Sequence, residues 1–330
     1  MATINSFLSE GFLKEFIEDF PRDFFSDEFP ASIALYRFLD KHTDVALSGK
    51  KEDYIDLIQT DGLVRNLIDR YLQGDDSVKF KDWEKEDLPS NAKPFPFFFL
   101  TSLNNTLKNQ LDQKGLPSYQ LKNTQTLKQI TGYEAIPVTT NSNFSNRLSS
   151  WSDLKGKLLP FHSLVMVDNY LFANPWQSKA TVSMIEKILG LPISLVHITF
   201  IYFEDRYQHN KISKNHTWNE INELLESSRI LKQVKISVVK LNSSADFHDR
   251  VFITNSQFIT SGNSFSNYFR PNGEIKLKCP TILNLNSHAC AYNDILWSEI
   301  AIQMLETLKK LIKDSSTPMK GNPLDNPLLS

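Results

Sequence analysis

The sequence predicts an α/β protein of two domains, a mixed sheet flanked by helices in the C-terminal half preceded by a smaller α/β domain. Three observations lead there. Strand-like and helix-like hydrophobic patterns alternate along most of the chain. A length of 330 residues exceeds that of one ordinary domain. The pattern also breaks at a stretch rich in Asn and Ser, residues 141 to 152, the natural linker between a domain at 1–155 and one at 156–312.

In the first domain Phe12, Phe16, Phe20, Phe24 and Phe25 recur at mostly helical spacing, interrupted by Pro21, as expected of aromatics packed into a core. Asp44 to Ser48 reads as a short strand. Glu52 to Leu72 reads as an amphipathic helix that Gly62 makes prone to interruption. Residues 74–94 are charged and loop-like. Phe95 to Thr101 is a buried aromatic strand, Leu107 to Lys114 a helix stopped by Gly115, and Ala135 to Thr139 a further strand. No catalytic motif is found among these residues.

The second domain is more regular. Leu164 to Phe172 is a strand, Lys179 to Leu189 a helix ending at Gly190, and Leu195 to Phe203 a β-branched strand. Trp218 to Leu231 is a helix, with Thr217 three residues before Glu220 as its capping box. The strands Val234 to Leu241, Val251 to Thr254 and Phe258 to Ser261 follow, and Asp294 to Ile312 is the last helix. Residues 313–330 are polar and carry three prolines and an Asn-Pro-Leu repeat. They read as a flexible tail or, more sharply, as a docking peptide for a protein partner.

Net charge is −2, so the chain as a whole exerts no pull on nucleic acid or acidic lipid, and an anion site has to be local. Cys279 and Cys290 form no CxxC pair and imply no zinc framework. His162 and His288 lack ligand spacing, and no cofactor is expected. The first residues lack a signal-peptide pattern, and no apolar run reaches a membrane span of ~20 residues, so a cytoplasmic location is expected.

Chemistry concentrates between His248 and Asn267. On an extended segment His248 and Arg250 share a face, which sets an imidazole beside a permanent positive charge. Gly262, following a strand, lets the backbone approach a ligand, and Asn263, Ser264 and Asn267 add hydroxyl and amide donors. Together they form a suitable set for a phosphate.

His248, Arg250, Asn255 and Gly262 fall without gaps on the His, Lys, Asp and Gly of the phospholipase D superfamily motif. The segment from about 160 to 312 resembles that superfamily, and most closely the C-terminal phospholipase-D-like domain of MIT-domain proteins. The resemblance implies a metal-independent phosphodiesterase, most plausibly a nuclease, in which His248 is nucleophile or acid and Arg250 clamps the phosphate. Asn255 stands at the third catalytic position, and Gly262, Asn263, Ser264 and Asn267 bind phosphate. Two-copy chemistry with one motif implies a homodimer. A module of this kind would suit bacterial defence.

Two departures matter. Arg250 keeps the charge of the family's Lys but in a forked geometry, and Asn255 lacks the carboxylate of the family's Asp, for which Asp249 or Asp168 would have to substitute. A purely structural His–Arg pair therefore stays open. So does non-catalytic binding of a phosphate in nucleic acid, nucleotide or phosphoinositide, and so does a role as a subunit of a larger complex. Phe265, Tyr268 and Phe269 either stack on bases or pack the motif's own turn.

Overall fold

The computed structural model describes residues 4–19, 30–85, 95–121, 129–130, 132–189, 196–203, 217–241, 250–276, 281–292 and 295–330. The chain is α/β and divides into two compact units, residues 1–133 with 287–302, and residues 134–286 with 303–330. The boundary thus falls before the Asn/Ser-rich stretch. That stretch belongs to the second unit, where Leu148 bridges Val138 and Trp151 is buried. Two buried apolar anchors make it part of a domain rather than a linker.

The first unit holds a fully parallel sheet of β1 (Ile4–Leu8), β2 (Asp44–Leu47), β3 (Val78–Phe80), β4 (Phe95–Phe99) and β5 (Ser118–Tyr119), in the order β3-β2-β1-β4-β5. Every residue of β4 is buried, as a central parallel strand covered on both faces requires. Helix α1 (Glu10–Asp19) follows β1 and stacks Phe12 on Phe16; Phe20, Phe24 and Phe25 lie outside the described residues. Helix α2 is Pro30–Lys41. The long helix expected over 52–72 is two, α3 (Ile55–Thr60) and α4 (Gly62–Leu72), because the Asp61 carboxylate accepts from the amides of Leu63 and Val64 and restarts the helix. Helix α5 (Asn105–Gln113) is followed by Gly115 in the left-handed region at φ 69°.

The second unit is built on an eight-stranded mixed sheet. Its strands are β6 (Tyr133–Val138), β7 (Ser163–Val167), β8 (His197–Phe203), β9 (Lys235–Leu241), β10 (Arg250–Thr254), β11 (Gln257–Ser261), β12 (Thr281–Ser287) and β15 (Ser316–Lys320), in the order β15-β9-β8-β7-β10-β11-β12-β6; β13 (Ala291–Tyr292) and β14 (Ile295–Leu296) form a separate pair in the residues of the first unit. Strands β7, β8 and β9 are parallel, and β10 runs antiparallel to β7. Helices α6 (Trp151–Lys155), α7 (Pro175–Leu189) and α8 (Trp218–Ser227) bury Trp151, Ile185, Ile188, Ile221 and Leu225 in one core with Leu164, Met166, Phe200 and Phe252 of the sheet. The alternate residues Val165, Val167, Ile201, Val239 and Ile253 point to the opposite face and are buried too. Thr217 and Glu220 form the expected capping box of α8.

The segment expected as a flexible tail is ordered and load-carrying in the fold. After α9 (Trp297–Ser315), strand β15 pairs antiparallel with β9 and closes that edge of the sheet. Beyond it Asn326 is fully buried, its amide donating to the Leu164 carbonyl (3.0 Å), the Thr199 hydroxyl (3.0 Å) and the His197 carbonyl (3.3 Å). Leu328 and Leu329 are buried beside it. The polar composition that suggested a tail supplies partners for the starts of β7 and β8.

Candidate functional site

The motif segment folds as the hairpin β10–β11, with Arg250 paired to Ser261 and Phe252 to Ile259. Because β10 is antiparallel to β7, with Val251 opposite Val167 and Thr254 opposite Leu164, the start of β10 and the end of β11 meet the C-terminal end of β7. Arg250, Gly262, Asn263, Ser264, Asn267 and Asp168 are thereby gathered at one end of the sheet. His248 and Asp249 lie outside the described residues.

Arg250 is half-buried. Its Nη1 donates to the Gly262 carbonyl at 3.1 Å, and its guanidinium lies 5.8 Å from the centre of the Tyr170 ring. Gly262 and Asn263 are exposed, and a side chain built at Gly262 would meet no atom within 4 Å, so the backbone here is open to an approaching group. The Asn263 side-chain amide donates to Thr281 Oγ1 at 3.2 Å.

Beneath this surface sits Asp168, 2 % exposed. One carboxylate oxygen accepts from the Tyr170 amide (2.9 Å); the other accepts from Ser264 Oγ (2.7 Å) and the Phe265 amide (2.8 Å). Burial raises its pKa, while these three hydrogen bonds and the Arg250 charge oppose the rise. Two donors expected to hold a phosphate, the Ser264 hydroxyl and the turn amide after it, thus already hold a carboxylate of the protein itself. What remains toward solvent is the guanidinium, the open glycine and Asn263.

Asn255 stands apart. It is fully buried in the turn at the far end of β10, and its Oδ1 accepts from the amides of His162 (2.9 Å) and Ser163 (3.4 Å), tying the turn to the start of β7. Five residues of extended chain separate it from Arg250, about 16 Å. The expected catalytic place for Asn255 is corrected to an anchoring one. An acceptor oxygen, which Asn supplies, suffices for that anchoring.

Sequence patterns missed the neighbours. The loop from Asp168 to Asn174 leads into α7, capped by Asn174, whose Oδ1 accepts from the Gln177 amide at 2.9 Å. Beside it the Lys276 ammonium lies 3.7 Å from the centre of a Trp176 ring and donates to Asn267 Oδ1 at 3.2 Å. Partial burial, and then the Arg270 charge, hold the Lys276 pKa below the ordinary lysine value. Phe265, Tyr268 and Phe269 are buried against Trp151 and belong to the core.

Elsewhere in the described residues, no three His, Cys, Asp or Glu side chains converge as metal ligands, and no helix is long and apolar enough to cross a membrane. In the first unit, the crevice between the ends of β1 and β4, where the strand order reverses, is the place open α/β sheets offer to ligands. There the Glu15 carboxylate accepts from the Ser102 amide (3.0 Å) and from the hydroxyls of Thr101 and Ser102 (2.7 Å each). No protein-family model and no curated protein sequence matches the chain.

Proposed function

We propose that this chain is a phosphodiesterase of phospholipase D type acting on nucleic acid as a homodimer. The observation carrying this is the gathering of Arg250, the open Gly262 turn and Asp168 at one end of the sheet, with His248 two residues upstream of Arg250. A nonbridging phosphate oxygen rests on the Arg250 guanidinium, which gives up its bond to the Gly262 carbonyl. His248 attacks phosphorus, forming a P–N bond as the P–O bond to the leaving alkoxide breaks. The partner subunit's His248 protonates that oxygen, and water then hydrolyses the phosphohistidine. Asp168 holds the turn in shape and supplies negative charge beneath the guanidinium.

The test is hydrolysis of bis(p-nitrophenyl) phosphate and of oligonucleotides. His248→Ala is expected to abolish turnover, EDTA to leave it unchanged, and an acid-labile phosphohistidine to be trapped at low pH. Full activity in His248→Ala would overturn the catalytic assignment.

A second function, phosphate binding without turnover, is favoured by one observation: Asp168 already occupies the Ser264 and Phe265 donors. In that case wild type shows no hydrolysis, yet Arg250→Ala weakens an anionic ligand.

A further inference from the structure

Near the end of β7, two aromatic rings, Tyr170 in the following loop and Trp176 in the first turn of α7, are each met by a cation from the motif side. Tyr170 faces Arg250, and Trp176 faces Lys276. The two pairs belong to one connected network. Lys276 donates to Asn267; Ser266, in the same short turn, donates to the Tyr170 carbonyl at 3.3 Å; and the Tyr170 amide donates to Asp168. Gln177 of α7 reaches Asn267 from the other side at 3.5 Å. Trp176 is half-buried, and the ring face that Lys276 covers is covered by an exposed, flexible side chain. A planar ligand can take that face in exchange, and the released ammonium is then free for a neighbouring phosphate.

We infer that Trp176 and Lys276 form a subsite for single-stranded nucleic acid, with a base stacked on the indole and its flanking phosphate on the ammonium, farther along the strand than the phosphate at Arg250. This rests on the proposal that the Arg250 end of the sheet takes a phosphodiester. Two ring–cation pairs joined by one network fit a strand whose bases are unpaired, because a duplex keeps its base faces stacked on one another. A phospholipid headgroup has no planar group for the indole.

The experiment is fluorescence anisotropy of a labelled oligothymidylate on the full chain, with the same sequence as a duplex, inorganic phosphate as competitor, and vesicles containing phosphatidylinositol phosphates as the lipid probe. Trp176→Ala should weaken single-strand binding about tenfold, as loss of one stacked base does, and Trp176→Phe should retain most of it. Lys276→Ala should weaken binding several-fold and lower its salt dependence by about one counterion. Equal binding by wild type, Trp176→Ala and Lys276→Ala, with loss only in Arg250→Ala, overturns the subsite and leaves the proposed function intact. Binding to vesicles but not to the oligonucleotide also overturns it. Weakened binding in Trp176→Ala by a protein that hydrolyses nothing supports the subsite and removes the catalysis.

Discussion

The two ends of the second unit's sheet hold similar polar residues at very different depths. At the start of β7 and β8, Asn255, Gln257 and Asn326 are buried, and their side chains hydrogen-bond backbone groups of distant segments, with His197 bonded to Ser237 Oγ at 3.0 Å. At the other end Asp168 is equally buried, but the groups above it, Arg250, Gly262, Asn263 and Lys276, range from half-buried to exposed. Polar side chains at the first end replace strand-to-strand bonds that the sheet cannot make for itself. At the second they are held in place from below while their outward faces stay reachable. Burial of the polar atoms, rather than residue type, distinguishes the closed end from the open one.

The strongest way to break this contrast is to remove residues 316–330. That deletion unpairs β9 and strips the starts of β7 and β8 of Asn326, so the second unit should lose its cooperative thermal transition, followed by circular dichroism. A chain that melts as before would show the closed end to be dispensable. Asn326→Ala should cost about 2–4 kcal/mol in urea unfolding, since it leaves buried carbonyls and a hydroxyl without their donor. Asn255→Ala should cost about 1–3 kcal/mol for the lost acceptor of two amides, yet leave binding by the folded protein unchanged. Arg250→Ala reverses that profile: stability changes by less than about 1 kcal/mol, while anion affinity falls about tenfold. If both variants affected stability and binding alike, the two ends would not be functionally distinct.

The smallest expected effect is a pH dependence at the closed end. Burial, and then the Lys235 charge, push the His197 pKa below its ordinary value of 6.5. A lowered imidazole pKa means that the unfolded chain takes the proton first. The stability contribution is therefore complete above 6.5 and is lost as pH falls through that value toward the folded one. Urea midpoints measured between about pH 7.5 and about pH 5.5 should fall, and His197→Gln should flatten the slope.

Local signals in the sequence were reliable where the physics is local. The aromatic run of β4, the Thr217 capping box and the two strands flanking Asn255 all appear where hydrophobic pattern and capping chemistry predict them. Non-local pairings were invisible. Pro318 and the polar residues around it argued against a strand, but β15 is an edge strand, where a missing amide donor is tolerated. Ser264 looked like a ligand donor because nothing in the motif reveals that Asp168, 96 residues earlier, already takes its hydrogen bond. The Lys276–Trp176 pair likewise joins the start of α7 to a connection 100 residues later and has no periodic signature.

The strap formed by β15 and Asn326 has a consequence for biosynthesis. Asn326 reaches its partner on β7 across 162 residues of chain, and β15 reaches β9 across about half that distance. While the ribosome is still making the residues between them, the outer rim of β9 offers unpaired amides and carbonyls to any extended peptide nearby. Translation speed over α9, or a chaperone that shields the rim during that interval, then governs the yield of native protein without touching its final stability.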